Sequence, residues 1–245
     1  MFNRVIIKLS GEYLSGEHLG AESKRVDYPV SDGLVKEIAS VMDTGIQTGL
    51  VVGGGNFWRG RDASPDFSRD KADGMGMLAS VMNGVFLAER FARLGIWAHV
   101  MTPFPVGGFT EMYNRDLAEN YLITPNNTVI FAGGTGQPYF STDTITVIRA
   151  ADLRADMTLF AKAVPGVCDR DPKKAGEGGY ALYREITASK MLDDKLSAVD
   201  FTAMTIARDM RVNCALFDIR EENAVRRACA EDGALMKIGT IIKCE

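Results

Sequence analysis

Leu50-Val51-Val52-Gly53-Gly54-Gly55-Asn56 decides the reading of this chain: a short apolar run, rich in β-branched residues, breaks abruptly into consecutive glycines. The run has the composition of a buried strand. Glycine lets the backbone come close to a bulky anion and turn successive N–H groups toward it, so a glycine turn at a strand end reads as a phosphate cradle. The same plan occurs twice more. Val5-Ile6-Ile7 leads into Lys8-Leu9-Ser10-Gly11, and Val129-Ile130-Phe131 leads into Gly133-Gly134-Thr135-Gly136. Three cradles imply a substrate with several phosphates, bound where parallel strands end and helices begin.

Working outward, strand and helix signals alternate. Ser31-Asp32 is placed to cap a helix with Leu34, Val35, Ile38, Val41 and Met42 on one face, ended by Thr44-Gly45. A long helix is expected over 70–94, closed by Gly95, and then a strand over 96–101. Pro103 and Pro105 open a loop before a helix near 113–122. A helix over 143–151, capped by Thr142 or Asp143, precedes a strand at 157–161. Residues 164–180, with Pro165, Asp171-Pro172 and several glycines, read as an exposed loop or hairpin. Helices over 201–211 and 222–230 flank a strand at 214–217, and a last strand falls near 238–242. No repeat or linker divides the chain. The expectation is a single domain over 1–245, an α/β three-layer sandwich on a mostly parallel central sheet.

Composition sets the class. The chain has 245 residues, 46% hydrophobic and 24% charged, enough for a sizeable core. A formal charge of −4 gives no broad basic surface for nucleic acid, so none is expected as a direct partner. No run approaches the roughly 18 apolar residues of a membrane span, and no signal peptide is expected, since a basic region, an apolar stretch of adequate length and a cleavage site are missing before the first strand. Cys168, Cys214, Cys229 and Cys244 lack metal-binding spacing and read as reduced thiols of a cytoplasmic protein.

The phosphate chemistry is narrowed by elimination. A Walker loop needs lysine after its last glycine, but Gly16 is followed by Glu17; the dinucleotide fingerprint fails because Gly53 and Gly55 lead to Trp58. The His-Arg-Asp and Asp-Phe-Gly triplets of protein kinases are absent. Taken singly, each remaining residue has a plainer reading. Gly-Gly-Gly is more often a tight turn, Lys8 an edge lysine, Asp143 and Asp200 helix caps, Asp171-Pro172 a turn, and Asp73 a solvated first-turn carboxylate. Met75, Met77 and Met82 read as core or interface packing, Trp58 and Trp97 as packing residues, His99 as a core or surface residue and His18 as a loop residue. Three strand-end loops beside Lys8 and Arg59 reverse the balance toward phosphate.

Four stretches then carry a resemblance. Ile6-Ile7-Lys8-Leu9-Ser10-Gly11-Glu12, Val51-Val52-Gly53-Gly54-Gly55-Asn56-Phe57-Trp58-Arg59-Gly60, Ala72-Asp73-Gly74-Met75-Gly76-Met77-Leu78-Ala79 and Gly133-Gly134-Thr135-Gly136-Gln137-Pro138-Tyr139-Phe140-Ser141-Thr142-Asp143-Thr144 closely resemble the bacterial UMP kinase family of the amino acid kinase superfamily. The resemblance runs from Arg4 to the chain end. It implies transfer of a phosphoryl group from ATP, with its Mg²⁺, to UMP, with no metal held by the protein itself. It places Lys8, Leu9, Ser10, Gly11, Gly55, Arg59, Lys162, Cys168 and Asp171 on the ATP side. It places Gly54, Asp73, Thr135, Gly136, Gln137, Pro138, Tyr139, Phe140, Ser141 and Thr142 around UMP. Lys8, Arg59, Asp143, Lys162 and Asp200 form the implied catalytic set, with Asp200 in the place of an aspartate that orients the phosphate-binding lysine. The N-terminal part would hold UMP and phosphate and the C-terminal part ATP; a homo-oligomer, a hexamer built through helix packing, is also implied.

One segment departs from the family pattern: Phe160-Ala161-Lys162-Ala163-Val164-Pro165-Gly166-Val167-Cys168 has one lysine, one residue fewer, Pro165 in place of aspartate, and Cys168 in place of an aromatic. A kinase for a carboxylate or carbamate such as acetylglutamate, and a noncatalytic UMP-binding protein, are the rival readings; neither histidine lies in a motif.

Overall fold

The computed structural model describes residues 2–16, 25–172, 179–230 and 234–244. One nine-stranded sheet runs through them. Its strands are β1 (Arg4–Leu9), β2 (Gln47–Val52), β3 (Trp97–Thr102), β4 (Glu111–Met112), β5 (Asn127–Phe131), β6 (Met157–Lys162), β7 (Glu185–Thr187), β8 (Cys214–Asp218) and β9 (Gly239–Lys243), in the order β4-β3-β5-β2-β1-β6-β8-β9-β7. Every neighbouring pair is parallel except β8 with β9.

β1 lies near the centre, and its alternation explains the layering. Val5, Ile7 and Leu9 join one buried cluster, Ile6 the other. A strand covered on both faces needs such a continuous apolar run. On the first face pack α2 (Tyr28–Met42), α3 (Arg69–Ala92), α8 (Ala224–Cys229) and α9 (Ala234–Ile238), contributing Leu34, Ile38, Val81, Phe91, Val225 and Leu235 to that cluster. On the second pack α4 (Arg115–Ile123), α5 (Thr142–Asp152), α6 (Ala188–Asp193) and α7 (Phe201–Met210), through Ala118, Leu122, Ile145, Val147, Met191 and Met204. The three layers match the expected sandwich. A further helical turn, α1 (Gly11–Leu14), follows β1 directly.

Several boundaries differ from the sequence reading. The cap of α2 is Asp27, which accepts the Val30 N–H at 3.1 Å with Pro29 in the first turn; Ser31 is buried inside the helix and Asp32 pairs with Arg90 at 2.5 Å. Pro fits the first turn because its missing N–H has no helical partner there. The cap of α5 is Ser141, whose hydroxyl accepts from the Thr144 N–H at 3.4 Å, so neither Thr142 nor Asp143 takes that role. Trp97 is the first residue of β3 and 72% exposed, contrary to its expected packing at mid-strand. Trp58 does pack, its indole N–H donating to the Ala72 carbonyl at 2.8 Å. Helices α1, α6 and α9 and strands β4 and β7 were not foreseen. The expected 164–180 hairpin is partly seen: Cys168 bridges antiparallel to Leu182, and the Asp169 N–H donates to the Ala181 carbonyl at 3.0 Å. Residues 173–178 and His18 lie outside the described residues.

Candidate active site

The three glycine loops converge because β1, β2 and β5 are parallel neighbours and all end on the same edge. The first two touch backbone to backbone. A Cβ on Gly11 would sit 2.5 Å from Asn56 Oδ1 and 2.7 Å from Gly55 N, so no side chain fits there. Between the loops lies a cavity of about 230 Å³, walled by Lys8, Ser10, Gly11, Gly54 and Gly55 on one side and by Asp73, Gly134, Gln137, Phe140 and Thr142 on the other. Its polar wall and glycine edges suit an anion better than an apolar ligand.

At the β1 end, charge is concentrated on one buried carboxylate. Lys8 lies two residues beyond Ile6, so its side chain emerges on the face that α5 covers. There Asp143, in the first turn of α5, pairs with Lys162 Nζ at 2.5 Å and with Lys8 Nζ at 3.5 Å, and accepts the Asp200 N–H at 3.3 Å. Lys162 also donates to the Ala198 carbonyl at 2.9 Å, and Lys8 to Ser10 Oγ at 3.4 Å. Burial pushes the Asp143 carboxyl up, but the two ammonium groups outweigh it and hold the group below the usual carboxylate range. Lys162 is held below the usual lysine range, first by burial and then by repulsion from Lys8, with Asp143 opposing both.

The Asp200 side chain is placed otherwise. One carboxylate oxygen caps α7 through the Ala203 N–H at 3.1 Å and accepts the Thr144 hydroxyl at 3.1 Å. Beside β1 it is Asp143 that accepts a lysine hydrogen bond, from Lys162, and the Asp200 backbone braces it. Capping and site geometry are thus joined at Asp200, as the sequence allows.

The other wall begins on α3. Asp73 accepts the Arg69 guanidinium at 2.8 and 2.9 Å and the Tyr139 N–H at 2.8 Å, tying the helix to the third loop. Tyr139 has φ of 74°, a left-handed conformation costly for a residue with a side chain and concentrated at functional sites. The Thr135 hydroxyl accepts the Gln137 N–H at 3.2 Å and so closes the turn at Gly136, just before Pro138. Arg59 donates to the Gly55 carbonyl at 3.1 Å and lies 3.4 Å from the Glu12 carboxylate.

Of the expected ATP-side residues, Lys8, Ser10, Gly11 and Gly55 line this cavity, whereas Leu9, Arg59 and Lys162 do not, and two more lie on the loop after β6. Cys168 is buried, with its thiol directed at the Gly166 carbonyl at 3.9 Å, and Asp171 lies on the exposed loop beyond it; neither forms part of the cavity wall. Sequence reasoning missed Asn83 and Ser80 of α3, whose side chains grip the glycine loops, because polar residues inside a helical pattern carry no signal of which loop they face. His99 lies in a different environment, stacked on Tyr121 and hydrogen-bonded at 2.8 Å to Asn127.

Strand-end glycine loops around paired lysines, on a three-layer sandwich, define an ATP-dependent kinase fold unlike that of the Walker-loop enzymes. Residues 3–218 match the amino acid kinase family model, and the chain belongs to the amino acid kinase family. It is 38% identical over 225 residues to a uridylate kinase from Chromohalobacter salexigens, covering 91% of this chain and 86% of that protein. It superposes on the crystal structure of a UMP kinase from Bacillus anthracis with a TM-score of 0.89 at 31% identity, covering 100% of this chain and 97% of the other. A UMP kinase from Ureaplasma parvum gives 0.87 at 29% identity, with 99% of each chain covered.

Proposed function

We infer that this protein is a UMP kinase, which moves the γ-phosphoryl group of ATP onto UMP to give UDP and ADP for pyrimidine nucleotide supply. The observation that carries this reading is the two-sided cavity. Lys8, Ser10, Gly11 and Gly55 gather donors on one side, with Arg59 held beside them at the Gly55 carbonyl, while Asp73, Gln137, Phe140 and Thr142 close the other. Phosphoryl transfer asks the protein for alignment and for positive charge around the transferred group, which the lysine pair and the loop N–H groups are placed to supply. The acceptor phosphate has a second pKa of about 6, so its oxygen is already largely ionised near pH 7 and needs no general base.

In this reading Lys8, Arg59 and Lys162 bear on the donor phosphates, Asp143 fixes the lysines, and Asp200 holds Asp143 in turn. Leu9 lends its backbone beside the donor; the loop after β6 would meet the ATP nucleoside through the backbone near Cys168 and through Asp171. Gly54, Asp73 and Thr135, Gly136, Gln137, Pro138, Tyr139, Phe140, Ser141 and Thr142 surround UMP. Mg²⁺ travels with ATP. The carboxylates in and beside the wall (Asp73, Glu12 and Asp143) already have cationic partners, which fits an ion that would be carried mainly by phosphate oxygens and water. The ion supplies neutralising charge on the donor phosphates when bound.

Within one domain, the N-terminal part serves mainly UMP and the phosphates, and the C-terminal part mainly the rest of ATP. The outer face of α3 supports self-association, since Met75, Leu78, Met82 and Val85 recur at helical spacing and are exposed, between 37% and 52%. A hexamer assembled through that face is our proposal. No helix among the described residues is long and apolar enough to cross a membrane, and the four cysteines are free and buried, in keeping with a reducing cytoplasm.

The test is ADP release from Mg-ATP against UMP, CMP, dTMP, acetylglutamate, aspartate and carbamate. Turnover confined to UMP is expected. Turnover only with a carboxylate or carbamate would overturn the acceptor, and UMP binding without turnover would leave a binding protein.

A further inference from the structure

The buried face of α3 holds two polar side chains that the phosphoryl-transfer step leaves unused. Asn83 is fully buried, yet its amide N–H groups donate to the Gly53 carbonyl and to Asn56 Oδ1, both at 2.7 Å, while Asn56 donates back to Asn83 Oδ1 at 3.1 Å. Three residues earlier on the same face, the Ser80 hydroxyl accepts the Gly133 N–H at 2.8 Å and donates to the Met77 carbonyl at 2.7 Å. Between these contacts Gly54 lies flat on the helix. A Cβ there would come within 2.6 Å of both Ala79 Cβ and Ser80 N.

One rigid helix face therefore touches two glycine loops that come from different strands. Residues three apart on a helix are fixed neighbours, so Ser80 and Asn83 hold a constant spacing that the loops inherit. We propose that Asn83 and Ser80 are positioning residues for phosphoryl transfer, Asn83 fixing the Gly53–Asn56 loop and Ser80 the Gly133–Gly136 loop, so that α3 sets the distance between donor and acceptor phosphates. The proposal rests on the reading of the cavity as the transfer site.

The two residues have separable signatures. The Gly53–Asn56 loop faces donor and acceptor together, so loosening it misaligns the reacting atoms. A displacement of about 1 Å costs on the order of 10²-fold in rate, and it appears in kcat. The Gly133–Gly136 loop faces the acceptor alone. Loss of the Ser80 hydroxyl weakens UMP binding by about tenfold, the worth of one hydrogen bond, and leaves ATP untouched.

The experiment is steady-state kinetics on full-length Asn83→Ala, Asn83→Asp and Ser80→Ala, varying UMP and ATP separately, with melting curves and with Lys8→Met in parallel. Asn83→Asp keeps the acceptor oxygen for Asn56 but loses both donors. The expected result is a kcat fall on the order of 10²-fold for both Asn83 variants with KM values little changed, and for Ser80→Ala a UMP KM raised about tenfold with the ATP KM constant. Lower melting temperatures with kcat and both KM values unchanged would overturn the proposal and leave the residues as packing. If the Asn83 variants do not fold, Ser80→Ala decides alone, and a UMP KM within about twofold of the native value refutes it. A folded Lys8→Met with native turnover would instead refute the site reading, and the two failures are thereby distinguished.

Discussion

Replacing Lys8 with methionine removes one positive charge from the site while keeping the length and apolar stem of the side chain. The structure separates its effects on stability and on rate. Asp143 keeps Lys162 at 2.5 Å and the Asp200 N–H at 3.3 Å, so the buried carboxylate is not orphaned. The lost Lys8–Asp143 contact is the longer one, at 3.5 Å, and a buried ammonium that is removed no longer bears its desolvation cost. The folded state should change by no more than about 1 kcal/mol, or roughly 2–4 °C in melting temperature for a chain of this size. The rate should change far more. One preorganised donor aimed at developing charge in a water-poor site is worth about 2.7–4 kcal/mol, so kcat should fall about 10²- to 10³-fold. The assay is ADP release at saturating UMP and Mg-ATP, paired with a thermal melt of the same preparation. A variant with native melting and a kcat within about threefold of the native enzyme would refute the assignment of Lys8 to the transferred phosphoryl group.

Asp143→Ala should damage both properties, because it leaves two buried ammonium groups facing each other; a loss of about 3–5 kcal/mol is expected by chemical denaturation, together with near-complete loss of turnover. The pH profile of kcat should fall on the alkaline side below the usual lysine range, since burial and Lys8 hold Lys162 down; Lys162→Arg should move that limb to higher pH. Stability should move the opposite way across that window. The unfolded chain binds the lysine proton that the folded chain has already released, so ΔG of unfolding rises with pH between the depressed and the ordinary lysine value. Asp73→Asn should raise the KM for UMP by about tenfold, with kcat and the ATP KM less affected, as measured by initial rates, because it removes the charge with which one side chain of α3 holds Arg69 and the Tyr139 N–H of the third loop together.

The glycine loops, the parallel sheet and its three layers were legible because each rests on a local signal repeated along the chain. β-branched runs ending in glycine need no tertiary information to be read as strand ends. The caps of α2 and α5 were misplaced by a few residues for a physical reason: Asp27, Ser31 and Asp32 are all acceptable caps, as are Ser141, Thr142 and Asp143, and packing of the helix against the sheet selects among them. That selection matters at α5. With Ser141 as the cap, Asp143 falls one residue inside the first turn, where its side chain points at the lysines instead of at its own backbone. Roles such as those of Ser80 and Asn83 were not legible, since they depend on which loop a buried helix face meets. The exposure of Trp97 at the start of β3 likewise depends on where the sheet edge ends.

The cations around the cavity divide into two kinds by what it costs to move them. Lys8 and Lys162 face Asp143, with all three side chains largely buried, and separating that group exposes uncompensated charge at about 3–5 kcal/mol. Arg59 with Glu12, and Arg69 with Asp73, pair at 3.4 and 2.8 Å with the arginine side chains 32% and 59% exposed, where an ion pair is worth about 0–1 kcal/mol. An incoming phosphate can therefore recruit the arginines at little cost but cannot pull the lysines from Asp143 without losing more than a charge-assisted hydrogen bond returns, about 1.5–3 kcal/mol. In the proposed reaction the buried lysines would then be a fixed frame that meets the transferred group, and the arginines adjustable clamps. Arg59→Ala should accordingly raise the KM for ATP by about tenfold with the melting temperature unchanged, whereas a loss of several degrees in that variant would show that the Arg59–Glu12 pair is part of the frame instead.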